Sequence, residues 1–337
     1  MGVGQLMRIL AWGLAGLAVT GTTAWGALAL WYAVPAAEAV RAALALGLVC
    51  LGLGGILIGF IKRRLWVPLL PFAVAFTVLM VWWSTIEPRH DRQWERDVAV
   101  LPSAEVNGNL ITLRNIRNFR YRSESDYTPS WYHKTVDLRQ LHTLDLIAVY
   151  WMGDAIAHTI LSFNFGGEYV AISIEIRKEK GESFSALAGF FRRYELIYVV
   201  GEERDLIGLR TTHRNPPEDV YLYRIKAAPE QIRGLFLQYV TKINQLTAEP
   251  EFYNTATTNC TTNIVTHVEA VRRRVPLSWK VLLSGYFPEL VYERGSLDQS
   301  LPFETLRKKS LINERARAAN GSDDFSHRIR RGLPGIP

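Results

Sequence analysis

Tyr253-Asn254-Thr255-Ala256-Thr257-Thr258-Asn259-Cys260-Thr261-Thr262-Asn263, continuing into Ile264-Val265-Thr266-His267-Val268, reads as a loop that becomes a helix with a cysteine at the junction. Asn and Thr favour N-cap positions because their side chains accept the orphan N–H groups of a first turn. The apolar spacing Ile264, Val265, Val268, Val271 then fits a helix. Cys260 is expected in the first turn. There the macrodipole and the free N–H groups favour a thiolate and can hold an oxyanion. The competing reading is a buried structural cysteine that packs as a small hydrophobe.

The rest of the chain weighs on that choice. It has 337 residues, room for more than one domain, and its 48% hydrophobic share is unevenly spread. Nearly all the long apolar runs fall in the first 86 residues. The two cysteines are Cys50, in an apolar run, and Cys260, in the polar part, which excludes a disulfide framework. No Cys/His cluster at zinc spacing occurs. No metal or organic cofactor is expected.

Residues 9–32, 40–61 and 65–86 each reach the roughly 20 apolar residues that span a bilayer core. Arg41 can snorkel to the interface, and Trp66, Trp82 and Trp83 mark the two ends of the third run. A cleaved signal peptide is a poor account of the first run, which is too long and is followed by two more. Arg8 and Lys62-Arg63-Arg64 place the N-terminus in the cytoplasm by the positive-inside rule. Three spans then deliver everything after residue 86 to the other side, the periplasm of a bacterium. A lone thiol kept in an oxidising compartment points to a reactive one. The expected organisation is a three-helix transmembrane region over 1–86, a charged juxtamembrane linker over 87–109, a catalytic domain over 110–295 and a basic extension over 296–337.

Within the soluble part, 110–121 alternates as a strand, 135–138 reads as a short strand and 144–151 as a buried one. Gly166-Gly167 between two β-rich runs, 155–165 and 169–177, is a two-residue hairpin signal. With Phe165 opposite Glu168, His158 falls opposite Glu175 and Ile160 opposite Ser173. A one-residue slip would send them to different faces. A histidine beside a carboxylate is the oriented base that a thiol nucleophile needs. Residues 183–194 read as an amphipathic helix with Phe190-Phe191 as core, and 195–200 and 206–210 as strands around a solvated charged turn, Glu202-Glu203-Arg204-Asp205. A strand over 220–225 and a helix over 229–246 follow, the latter with Ile232, Leu235, Phe236, Tyr239, Val240 and Ile243 on one face. Residues 278–283 form a short helix, and the tail from 315 reads as a loosely ordered surface segment. His267 is a rival base, but two turns from Cys260 it points along the helix rather than at the first turn. No nucleic-acid module accompanies the positive charge.

Asn118-Phe119-Arg120-Tyr121, the strand from His158 to Phe165, Ile172-Ser173-Ile174-Glu175-Ile176-Arg177, Glu203-Arg204-Asp205 and Asn259-Cys260-Thr261-Thr262 together resemble the Lnb-type periplasmic domain family, which includes bacterial lipoprotein N-acyltransferases. More remotely, a histidine strand preceding an Asn-Cys helix is similar to permuted papain-like enzymes of the NlpC type and to lecithin retinol acyltransferase. The chain departs from the latter's Asn-Cys-Glu-His pattern at Thr261-Thr262. The resemblance implies an α+β fold: three transmembrane helices, then a papain-like domain whose antiparallel sheet packs on the cysteine helix. It also implies an inner-membrane cysteine acyltransferase with Cys260, His158 and Glu175 catalytic. Asn259, Thr261, Ser173 and Arg177 support or bind substrate, with a structural role ahead for Arg177. Phospholipid is the implied acyl donor, a lipoprotein amine the acceptor, and a Cys260 thioester the intermediate. The alternatives are a membrane-anchored peptidase or amidase acting on cell-wall peptides, and a non-catalytic membrane-tethered scaffold.

Overall fold

The computed structural model describes residues 3–64, 66–272, 275–276 and 278–336. Leu65, the expected start of the third span, and the side chain of Arg8 lie outside the described part. The chain divides into two compact units.

The first unit comprises the chain up to Pro88 together with the segment Ser185–Arg193. Its helices are α1 (Val3–Ala33), α2 (Glu38–Lys62) and α3 (Trp66–Ser84), all long and apolar enough to cross a membrane. Small residues let them approach closely: a Cβ on Gly52 would come within 2.1 Å of Thr23 Oγ1. The segment 183–194 is not the expected helix. It holds a single 3₁₀ turn, Ala188–Phe190, and Arg192 adopts a φ of 51°, which an α-helix does not accommodate. Tertiary contacts override local propensity here. Phe191 packs at 5.8 Å from Tyr32, and Arg192 donates to the Trp83 and Ile86 carbonyls at 2.7 and 3.0 Å. Of the Phe190-Phe191 pair only Phe191 is buried.

The second unit is built on a sheet. Its strands are β1 (Ser103–Asn107), β2 (Leu110–Arg117), β3 (Arg120–Tyr121), β4 (Tyr127–Thr128), β5 (Trp131–Asp137), β6 (Leu141–Tyr150), β7 (Ala157–Phe165), β8 (Glu168–Arg177), β9 (Glu195–Gly201) and β10 (Asp219–Ile225). The main sheet runs β1-β2-β9-β8-β7-β6-β10, with β5 also on β2, and β3 and β4 pair separately. Its pairings are antiparallel except β2 beside β9. β9 is buried along its whole length, which is why it reads as a continuous apolar run.

Helices cover this sheet: α4 (Glu203–Gly208), α5 (Pro229–Ala248), α6 (Cys260–Val271), α7 (Trp279–Leu282), α8 (Phe287–Glu293), α9 (Phe303–Lys309), α10 (Asn313–Ala318) and α11 (Phe325–Arg328). The fold is thus α+β, three apolar helices followed by a mixed sheet with helices. α5 buries the expected face, and Phe236 meets Phe163 edge-on at 5.1 Å.

Three further expectations fail. Residues 206–210 are not a strand: α4 runs on into a π-helical turn, Leu209–His213. Short apolar runs do not distinguish strand from helix, and here Leu206 and Ile207 are both fully buried. The charged turn before them is not solvated either, since Glu203 and Asp205 are buried against Arg330 and Arg117. The tail is also not loose. Ile312, Ala316, Phe325, Ile329 and Leu333 join Ile147, Val149, Ile160 and Ala171 in one core. Its apolar residues are spaced too widely among charged ones to register as a helix face in the sequence.

Candidate active site

The cap of α6 is built by Asn259. Its Oδ1 accepts the Thr262 N–H at 2.8 Å, its Nδ2 donates to the Thr255 carbonyl at 2.7 Å, and its carbonyl accepts the Asn263 N–H at 3.1 Å. Cys260 is the first residue of the helix and is buried. The Cys260 and Thr261 amides fall among the first four N–H groups, which have no acceptor within their own helix. The Thr261 hydroxyl lies 2.9 Å from Asn259 Oδ1 and 2.6 Å from the Val281 carbonyl, joining α6 to α7.

The hairpin supplies the second half. β7 and β8 pair in the expected register from Phe165–Glu168 to Ile160–Ser173. Beyond that last rung the side chains of His158 and Glu175 meet, with Nε2 3.1 Å from Oε1. Ser173 stands between them: its hydroxyl donates to Glu175 Oε1 at 2.7 Å and lies 2.6 Å from His158 Nε2. The hydroxyl proton being given to Glu175, Nε2 is the nitrogen that carries a hydrogen toward Ser173. His158 also has a side-chain hydrogen bond with Cys260. Cys260, His158, Ser173 and Glu175 thus form one connected chain. Burial pulls the His158 imidazolium down, but the Glu175 carboxylate, with the bonds to Cys260 and Glu175, outweighs it and lifts the pKa to about 9. Burial likewise opposes the Glu175 carboxylate, yet His158, Arg210 and Ser173 hold it well below the usual range.

Arg210 is the member the sequence does not reveal. It is buried on the π turn and donates to Glu175 Oε1 at 3.0 Å and to the Leu206 carbonyl at 2.8 Å. No local pattern marks it, because its role depends on a turn that reads as a strand. Arg177 turns elsewhere. It stacks 4.3 Å over Trp94 and donates to the Val98 and Ala99 carbonyls at 3.1 and 2.8 Å. His267 is held by the Tyr198 hydroxyl at 2.7 Å, and burial lowers its pKa to about 4.

A close approach seals the edge of the site. Gly285 N–H donates to the Ala155 carbonyl at 3.0 Å, and Ser284 Oγ accepts the Ala157 N–H at 3.0 Å. A Cβ at Gly285 would lie 2.0 Å from the Asp154 carbonyl oxygen, so only glycine fits.

The histidine and the carboxylate leave a pH signature. His158 is raised from 6.5 to about 9, so its contribution to stability is complete below pH 6.5 and is lost as pH rises through 9. Glu175 is depressed from 4.5, so its contribution is present above pH 4.5 and is lost as pH falls through the depressed value. The pair therefore stabilises most between pH 4.5 and 6.5. The melting-temperature difference between wild type and His158→Gln is expected to shrink steadily from pH 6.5 to 9.5 in a thermal scan; an unchanged difference would mean that His158 is not held as a cation.

Fold and site define a membrane-anchored α+β protein with a buried cysteine, histidine and carboxylate in contact at a helix start. Residues 127–285 match the family model of the Lnb N-terminal periplasmic domain, a span that includes His158, Glu175, Arg210 and Cys260. The chain is accordingly a membrane protein with a periplasmic domain. No curated protein and no solved structure matches it.

Proposed function

We propose that the protein is a cysteine acyltransferase of the bacterial inner membrane, N-terminus in the cytoplasm, that moves an acyl chain from phospholipid to the N-terminal amine of a lipoprotein. The observation that carries this reading is the contact of Cys260, at the start of α6, with His158 held by Ser173 and Glu175. With Nε2 turned to Ser173, Nδ1 is the nitrogen that carries the proton drawn from the thiol, which keeps His158 the cation that its raised pKa describes. The thiolate attacks the ester carbonyl carbon, and the Cys260 and Thr261 amide N–H groups donate to the developing oxyanion. As the tetrahedral intermediate collapses, the carbon–oxygen bond to glycerol breaks. The imidazolium returns its proton to the leaving alkoxide, and a lysophospholipid departs. The acceptor amine then attacks the thioester, His158 takes the proton it sheds, and the carbon–sulfur bond breaks to give an amide and the free thiol. Thioesters aminolyse readily, which suits cysteine to this step. The apolar helices keep the enzyme in the membrane that holds the donor.

Intact-protein mass spectrometry after exposure of the detergent-solubilised protein to phospholipid tests the proposal. The expected result is an acyl-sized mass increase, removed by hydroxylamine and mapped to Cys260. No adduct on a thiol that reacts quickly with iodoacetamide would turn the assignment to an amidase on cell-wall peptides. No adduct on a slow thiol would leave a scaffold.

A further inference from the structure

Six large apolar side chains of the soluble unit stand in solvent beside the site: Trp151, Met152, Phe184, Trp279, Leu282 and Leu283. They come from three separate stretches of chain, yet contacts join them. The Trp151 and Phe184 rings meet edge-on at 6.3 Å, and Trp279 meets Tyr286 at 5.0 Å. Between these pairs, Gly285 bonds to the Ala155 carbonyl and its own carbonyl accepts the Tyr150 hydroxyl at 2.6 Å. The same rim grips both halves of the site, through Val281 to Thr261 beside Cys260, and through Ser284 to Ala157 beside His158. Met152 is 62% exposed, Trp279 56% and Leu282 55%, values that water alone does not favour for residues so large and so grouped.

The chain itself indicates what covers them. α3 ends at Ser84 and the soluble unit begins at Arg89, five peptide steps that reach at most about 18 Å. Phe184 directly precedes Ser185–Arg193, the segment that packs with the apolar helices. Tryptophan beside leucine, methionine and phenylalanine is the composition that settles at a bilayer interface. We propose that this rim inserts into the outer leaflet of the bilayer the helices cross and admits a lipid acyl ester to Cys260. The inference rests on the acyl-transfer reading only in making that lipid the donor; the insertion itself requires no chemistry.

Photocrosslinking of the full chain in phospholipid vesicles tests it, with p-benzoylphenylalanine in place of Met152 or Leu282 in a Cys260→Ala background. The control position is Val106 on β1, 53% exposed and outside the rim. The expected result is a phospholipid adduct at both rim positions, at least tenfold above Val106. Equal labelling at all three positions, or a crosslink to a second copy of the chain in place of lipid, would overturn it. Because Cys260 is absent, failure of acyl transfer leaves this readout untouched, and both rim positions are solvent-facing, so either substitution leaves the core intact.

Discussion

Transfer of the acyl chain is expected to fall by at least about 10⁴-fold when Cys260 is replaced by alanine, while the melting temperature changes by only a few degrees. In the proposed route the acyl group crosses from ester to amide on the Cys260 sulfur, so losing the thiol removes both transfer steps. The fold has little at stake, since the capping bonds of α6 come from Asn259 and the rim contact from Thr261 rather than from sulfur. His158→Ala is expected to cost about 10²–10⁴-fold, the usual range for losing a positioned general base. Glu175→Gln should cost less and differently. The amide keeps the hydrogen-bond geometry but not the charge that lifts His158, so the histidine pKa falls and the pH–rate profile moves with it. Arg210→Met acts one step further out, by releasing Glu175. Pre-steady-state acylation followed by mass gives each rate; a Cys260→Ala variant that still forms a labile acyl adduct would remove the cysteine from the mechanism.

The sequence exposes those parts of the site whose geometry is local. A two-glycine turn fixes the hairpin register, and register alone brings His158 to Glu175 and Ser173 into line. A run of Asn and Thr fixes the α6 cap and with it the position of Cys260. What it hides is set by distant partners. Arg210 sits on a π turn that reads as β because Leu206, Ile207 and Leu209 are apolar in either geometry. Segment 183–194 has helix-like spacing, but Phe191 and Arg192 are claimed by the apolar helices. Glu203 and Asp205 look like surface charges because their arginines stand 127 and 88 positions away. The three apolar helices needed no partner to be seen, since length and hydropathy alone define them.

The hidden tail carries the largest expected effect on stability. Arg330→Met is expected to destabilise the soluble unit by about 3–5 kcal/mol, the loss typical of breaking a buried ion pair from one side. Arg330 is 3% exposed. It donates to Glu203 from both terminal nitrogens at 2.7 and 2.6 Å, donates to Asp145 at 2.8 Å, and lies 3.7 Å from the Tyr169 ring centre. Burial pushes the Glu203 carboxyl up, and Arg330 is the main group that offsets it; without the arginine, the carboxylate loses that counterweight. Asp145 keeps Arg224 at 2.5 Å, so the damage falls on Glu203. Removing the orphaned charge as well should recover much of the loss, because apolar residues of similar volume replace buried ion pairs at little cost. Arg330→Met with Glu203→Met is therefore expected to be more stable than Arg330→Met alone. Arg328→Met, whose exposed pairing to Asp324 spans 3.9 Å, should change stability by less than about 0.5 kcal/mol. Thermal unfolding reads all three, with a fall of roughly 6–20 °C for the first. Glu203 also opens α4, and α4 runs into the turn that aims Arg210 at Glu175. The same substitution should accordingly slow Cys260 acylation at temperatures where the fold persists; a stable Arg330→Met variant with unchanged rate would uncouple the tail from the site.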